Sequence, residues 1–115
     1  MKLAVDDCVC LTPPFAASAV ASRAVGVDRS EGRFGEVTIE TCLQCGRNWL
    51  RYFVEYEAFP ESGRWYRGLL PAERAGAVTP GSAVAILEAL DWYFYGGSYF
   101  RTTGKIGSGP LFTGL

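Results

Sequence analysis

The stretch 36–46, EVTIETCLQCG, combines a strand pattern with two closely spaced cysteines. Val37 and Ile39 fall on one face of an extended chain and the polar residues around them fall on the other, which is the period of a half-buried strand. That strand leads into Cys42, and Cys45 follows after two residues. At this spacing one turn can present two sulfurs to a single ion. The stretch therefore predicts a strand that ends in a metal-binding turn.

On the C-terminal side of this turn the extended pattern continues. Residues 50–56 alternate apolar and charged side chains, residues 60–63 read PESG and predict a turn, and residues 64–70 read RWYRGLL and predict a returning strand. Gly46 suits the cysteine turn, because the position after the second cysteine needs a backbone conformation that glycine adopts at little cost. We therefore expect three antiparallel strands, with the cysteines at the tip of the first hairpin.

The segments outside these strands predict helices and irregular chain. Alanine-rich residues 15–25 favour a helix, and a second helix is predicted from Pro80 to Leu90, with Thr79 as its N-cap. Residues 92–95 fit either an extension of that helix or a strand paired with residues 98–101, and the sequence does not decide between them. A short strand is expected at residues 2–5. The glycine-rich tail, residues 104–115, is expected to be irregular.

These elements together predict an α+β fold. A small three-stranded antiparallel sheet with a metal-binding hairpin would pack against one or two helices. The length of 115 residues predicts a single domain. Within it we expect a metal-binding part at about residues 5–70, a helical and aromatic part at about 71–103 and the tail at 104–115.

The chain contains four cysteines and no histidine. Zinc in a structural site takes four ligands in a tetrahedron, so Cys8, Cys10, Cys42 and Cys45 are predicted to bind one structural Zn²⁺. Iron accepts the same four thiolates. A redox pair at Cys42 and Cys45, two disulfides, and buried thiols without a ligand are the alternatives.

The sequence CLQCG at residues 42–46 resembles the second cysteine turn of the zinc-ribbon family. The resemblance spans roughly residues 5–70. It implies that four cysteines from two turns bind zinc for structure, and that the protein binds nucleic acid or another protein.

The net charge and the apolar stretches of the chain limit the partners and the cellular compartment that we expect. The net charge is −1, so no overall field draws the chain to nucleic acid or to anionic lipid. The N-terminal apolar stretch is too short for a signal peptide, and no window approaches the ~20 apolar residues of a spanning helix. We therefore expect a cytoplasmic protein without a membrane partner, in which cysteines are better interpreted as metal ligands than as disulfides.

The sequence predicts binding rather than catalysis, with no catalytic residue assigned. We expect a non-catalytic protein-interaction module, of which a bacterial immunity or accessory protein would be one example. The alternatives are a zinc-ribbon protein that binds nucleic acid and a thiol redox protein that uses Cys42 and Cys45. Tryptophan and arginine are common anchors at interfaces, and rings beside arginines also suit nucleic acid. The residues predicted to contact a partner are Trp49, Arg51, Arg64, Trp65 and Arg67.

Overall fold

The computed structural model describes residues 8–114, so the strand expected at residues 2–5 lies outside the described residues. Six strands form one antiparallel sheet in which each strand pairs with the next along the chain, in the order β1-β2-β3-β4-β5-β6. The strands are β1 Val20–Asp28, β2 Gly35–Cys42, β3 Asn48–Val54, β4 Arg64–Leu70, β5 Tyr93–Gly97 and β6 Thr102–Gly107. The helices are α1 Ala72–Ala75 and α2 Ala83–Ala89. No helix within residues 8–114 is long and apolar enough to cross a membrane.

The expectation of an α+β fold with a three-stranded sheet is wrong, because the sheet has six strands and the chain is mostly β. The three strands that the sequence predicts around the cysteine turn and the turn at residues 60–63 are present as β2, β3 and β4. The error lies in the flanking segments, where local preference and long-range pairing disagree.

The helix predicted for residues 15–25 is replaced by a 3-10 turn, Ala17–Ala19, and by β1. Alanine favours a helix by less than 1 kcal/mol per residue, so pairing along the whole length of β2 outweighs that preference. Gly26 shifts the register of the pair and adopts a φ of 148°. Tertiary pairing therefore decides the conformation of this segment.

Residues 92–95 belong largely to a strand. β5 pairs with β4 on one side and with β6 on the other, and residues 98–101 form the turn between β5 and β6. The irregular tail predicted from residue 104 is therefore wrong up to Gly107, where β6 ends. The helix predicted over 80–90 is confirmed as a 3-10 turn, Pro80–Ser82, followed by α2, and Thr79 and Ser82 form a capping box.

The two faces of the sheet pack against different parts of the chain. On the helix face, Leu50, Tyr52 and Val54 of β3 pack in one apolar cluster with residues of α2, including Leu87. On the opposite face, which we call the cysteine face, Trp49 of β3 packs with Cys8, Cys10, Cys42 and Phe94. Both faces are thus covered, the first by α2 and the second by the N-terminal segment, residues 8–15.

Gly35 shows how tightly the helix face is filled. A Cβ at this position would lie 2.0 Å from the Cζ of Tyr52. The hydroxyl of Tyr52 donates a hydrogen bond of 2.8 Å to Asp28, whose other oxygen accepts from the backbone N–H of Ser30 at 3.0 Å. The start of β2, the Tyr52 ring and the Asp28 carboxylate therefore pack together at one corner of the sheet.

We predict that Gly35→Ala lowers the free energy of unfolding by about 3 kcal/mol, because the new methyl group displaces the buried Tyr52 ring. The matched control is Gly81→Ala, where a Cβ meets nothing within 4 Å. That variant should change stability by less than about 0.5 kcal/mol. Urea unfolding monitored by tryptophan fluorescence measures both, and equal stabilities would contradict the packing at Gly35.

Candidate metal centre

Four cysteine sulfurs meet at one end of the sheet. The Sγ atoms of Cys8, Cys10, Cys42 and Cys45 all lie within 4.8 Å of one another. Cys8 and Cys42 are 3.5 Å apart at sulfur, and Cys10 and Cys45 are 3.6 Å apart. A tetrahedral ion with metal–sulfur bonds of about 2.3 Å separates its sulfurs by about 3.8 Å. The sulfurs therefore have the spacing of a four-thiolate metal site and are too far apart for disulfides.

Cys42 and Cys45 are held by the turn between β2 and β3. Cys42 ends β2, and its N–H donates to the carbonyl of Arg47 at 2.8 Å, while the N–H of Gly46 donates to the carbonyl of Cys42 at 2.9 Å. Gly46 has a φ of 80°, the left-handed conformation expected for this position. The chain then continues into β3 and not into a helix, so the redox hypothesis lacks the helix N-terminus that usually activates such a thiol.

Cys8 and Cys10 come from the N-terminal segment, 34 residues before Cys42 in the case of Cys8. Cys10 lies in a 3-10 turn, Val9–Leu11, whose N-cap is Cys8. Both side chains are buried. The four sulfurs therefore join two parts of the chain that are distant in sequence.

Arg67 of β4 anchors the N-terminal segment beside the sulfurs. Its guanidinium lies between two rings, 4.1 Å from the centroid of Phe15 and 4.4 Å from that of Trp49. Its Nη1 donates to the carbonyl of Cys10 at 3.1 Å, and its Nε donates to the carboxylate of Glu40 at 2.9 Å. The Arg67 side chain is 2% exposed, so this charge is fully enclosed by the partners that it holds.

The thiols differ in how readily they lose a proton. Burial raises the pKa of Cys10 to about 12, although the Trp49 indole N–H opposes that rise. Burial also acts to raise the pKa of Cys45, but the N–H of Arg47, the neighbouring thiols and the Arg47 guanidinium together bring it to about 6. The guanidinium donates to the Cys45 sulfur at 3.2 Å. The β2–β3 turn therefore favours the thiolate form that a metal requires.

Trp49 provides a further test of whether a metal fits. Its Nε1 is buried and has no hydrogen-bond partner among the described residues, yet the Trp49 side chain packs in one cluster with Cys8, Cys10 and Cys42. A buried N–H without an acceptor is costly, and a metal-bound thiolate is a stronger acceptor than a thiol. The donors around the site thus fit four thiolates that share one cation.

Four of the five residues predicted to contact a partner lie on the cysteine face, and the fifth, Arg64, lies on the helix face. Trp49, Arg64 and Arg67 are buried, whereas Arg51 and Trp65 are half-buried. Arg64 lies on the helix face, where its Nη1 donates to the carbonyl of Gly114 at 2.7 Å. Trp49 packs against the cysteines, and Arg67 holds the segment that carries Cys8 and Cys10.

Sequence reasoning missed the contribution of Phe15, Glu40 and Arg67 to the site. Glu40 and Arg67 stand on strands that are not neighbours, and Phe15 lies in a segment predicted to be helical. The one available signal was the position of Arg67, two residues before Leu69 and two after Trp65 on a strand with period two. That pattern places it on the same face as Trp49 once the register is known.

We predict that Arg67→Met lowers the free energy of unfolding by about 3 kcal/mol, because it leaves Glu40 without its buried partner and frees the Cys10 carbonyl. It should also weaken metal binding, since the segment that carries Cys8 and Cys10 loses its anchor. The control is Arg51→Met, which removes from the opposing position on β3 an arginine that forms no ion pair within residues 8–114. Chelator titration and urea unfolding measure the two effects, and indistinguishable variants would refute the role given to Arg67.

No family model, no curated protein and no solved structure matches this chain. The zinc-ribbon resemblance therefore rests on the cysteine turn itself, and the six-stranded sheet exceeds the three strands expected from it. The four clustered cysteines remain the feature of the chain that most directly indicates chemistry.

Proposed function

We propose that Cys8, Cys10, Cys42 and Cys45 bind one structural Zn²⁺ ion, and that the protein is a non-catalytic cytoplasmic module that binds another protein. The observation that carries the proposal is the meeting of four sulfurs within 4.8 Å. The residues that supply them come from two segments that are separated along the chain by β1 and β2. An ion at this point stabilises the fold by linking those segments.

The donor set favours zinc in a structural role. Four thiolates fill the tetrahedron, so no position is open for a substrate or a reactive water. With no histidine in the chain, a catalytic site of three histidines is excluded. The Arg47 guanidinium donates to the Cys45 sulfur and offsets part of the net negative charge of four thiolates around a divalent ion. The chemistry supplied by the ion is therefore cross-linking of the chain.

We predict about one zinc per chain in protein purified without chelator, measured by elemental analysis. Cys42→Ser should lose the metal and lower the free energy of unfolding by several kcal/mol, because metal binding is coupled to folding. Removal of the metal from the unaltered protein by a chelator should give the same loss, and returning zinc should restore stability.

Two results would count against a structural zinc ion, the first against any metal at the site and the second against zinc as that metal. The first is unaltered protein that is free of metal and stable, with four titratable thiols. The second is protein that contains iron in place of zinc, which an absorption spectrum distinguishes at once because iron thiolate centres are coloured and zinc centres are not.

The proposal that the protein binds another protein rests on two exposed apolar side chains at the end of the sheet that carries the cysteines. Val9, between Cys8 and Cys10, is 52% exposed, and Leu43, directly after Cys42, is 66% exposed. The N–H of Leu43 donates to the carbonyl of Ala19 at 3.0 Å, which fixes its backbone. We call these two side chains the metal tip. Apolar side chains on a rigid support suit an apolar depression on a folded partner protein, since little entropy is lost on binding.

We predict that the double variant Val9→Ser with Leu43→Ser reduces recovery of the partner by at least about tenfold, because the apolar anchors are lost. Zinc content and stability should not change, as both side chains point into solvent. The measurement is quantitative mass spectrometry after affinity capture from the native organism, with nuclease added.

The matched control is Phe59→Ser. Phe59 is 53% exposed and lies in the connection between β3 and β4, at the opposite end of β3 from the metal tip. It should leave recovery unchanged. A partner retained by the double variant, or lost on nuclease treatment, would contradict the proposed surface.

A further inference from the structure

A groove of about 650 Å³ lies on the cysteine face, beside the N-terminal segment and away from the sulfurs. Its floor contains Arg51 and Arg67, its walls include the rings of Phe15 and Trp65, and Thr102 lies at the β6 end. This volume is within the range of pockets that hold small molecules. The metal site and the metal tip do not account for it.

The charges in the groove are not balanced. Arg51 and Arg67 are directly opposite each other on β3 and β4, and like charges in such positions repel. Glu40 pairs with Arg67 at 2.9 Å. Arg51 forms no ion pair or hydrogen bond with any of residues 8–114, although Glu40 and Glu36 contribute weaker attraction from a greater distance. Arg51 and Arg67 therefore carry two positive charges, of which Glu40 neutralises one.

Arg51 is also partly removed from water. It is half-buried, its guanidinium lies 5.2 Å from the centroid of the Phe53 ring, and burial lowers its pKa. A guanidinium in this position has lost hydration without gaining a partner. An anion that accepted its hydrogen bonds would recover that loss and relieve the repulsion from Arg67.

The walls suit a flat apolar group. Phe15 and Trp65 are both half-buried, with ring centroids 5.9 Å apart in an edge-to-face arrangement, and part of each ring lines the groove, although Arg67 covers one face of Phe15. Aromatic surfaces bind other rings by stacking and edge contacts. The groove thus combines the unpaired guanidinium of Arg51 with the aromatic rings of Phe15 and Trp65.

From this combination we propose that the groove binds a small molecule that carries one carboxylate or phosphate group on an aromatic ring, with the anion on Arg51 and the ring against Phe15 and Trp65. Arg67 remains paired with Glu40 and adds long-range attraction. The site goes beyond the proposed function and does not depend on which metal the cysteines bind or on any protein partner.

The experiment is a titration of the full-length protein, as purified, with phenyl phosphate and separately with benzoate. Two-dimensional NMR detects binding even at millimolar affinity. At least one of the two anions should shift the Trp65 indole and Arg51 Nε signals, and the comparison identifies the preferred anionic group. Benzyl alcohol, which keeps the ring and lacks the charge, should bind at least about tenfold more weakly.

Arg51→Met should weaken binding of the preferred anion at least about tenfold. The matched control is Arg74→Met, which makes the same change in net charge at an exposed position of α1. It should bind like the unaltered protein. If Arg51→Met does not fold, the position of the shifts in the unaltered protein still decides the question.

Three outcomes would overturn the inference. These are no shift with either anion, shifts that map outside the groove, and equal affinity for benzyl alcohol and the anions. Unchanged binding by a folded Arg51→Met variant would do the same. None of these outcomes bears on zinc content or on capture of a protein partner, so the two proposals fail separately.

Discussion

The contact on which the rest of the structure depends is the enclosure of Arg67 between Phe15 and Trp49. A guanidinium can leave water only if its charge and its donors are satisfied, and here a carboxylate, a carbonyl and two aromatic faces do so together. These partners come from β2, β3 and the N-terminal segment. The burial of one side chain therefore fixes where that segment crosses the sheet, and so brings Cys8 and Cys10 to the β2–β3 turn.

β4 buries a second arginine on its other face, although this one has no ion pair and its Nη2 has no hydrogen-bond partner among the described residues. Arg64, three residues earlier, is fully buried and donates to the carbonyls of Phe112 and Gly114. Its guanidinium also lies 3.9 Å from the centroid of the Tyr99 ring. Residues 64 and 67 differ by an odd number, so the pleat sends them to opposite faces. One strand thus uses two arginines to hold the two ends of the chain on opposite sides of the sheet.

The sequence was informative where local pattern and final environment agree. Alternation predicted β2 and the extended pattern after the cysteines predicted β3, the turn at residues 60–63 predicted the return into β4, and the cysteine spacing predicted the turn between β2 and β3. β1 was missed because its alanines favour a helix in isolation, and its strand conformation comes from pairing with β2. β5 was left undecided because four consecutive aromatic residues show no period at all.

The residues of the candidate site were likewise predictable only where a local sequence pattern exists. Cys42 and Cys45 could be assigned from spacing, whereas Cys8 and Cys10 were joined to them by number and type, without a local pattern. The burial of Arg64 and Arg67 was not predictable, because arginine is almost never fully buried unless its partners are known, and those partners lie far along the chain.

The pairing of each strand with its sequence neighbour has a consequence for the order of folding. The β2–β3 and β3–β4 hairpins close short loops, residues 43–47 and 55–63, so β2, β3 and β4 can assemble through local contacts. Bringing Cys8 to Cys42 closes a loop of 34 residues, which costs roughly 3 kcal/mol in chain entropy from its length. If the four cysteines bind a metal as proposed, the sheet would supply two sulfurs first and the N-terminal segment would complete the coordination last.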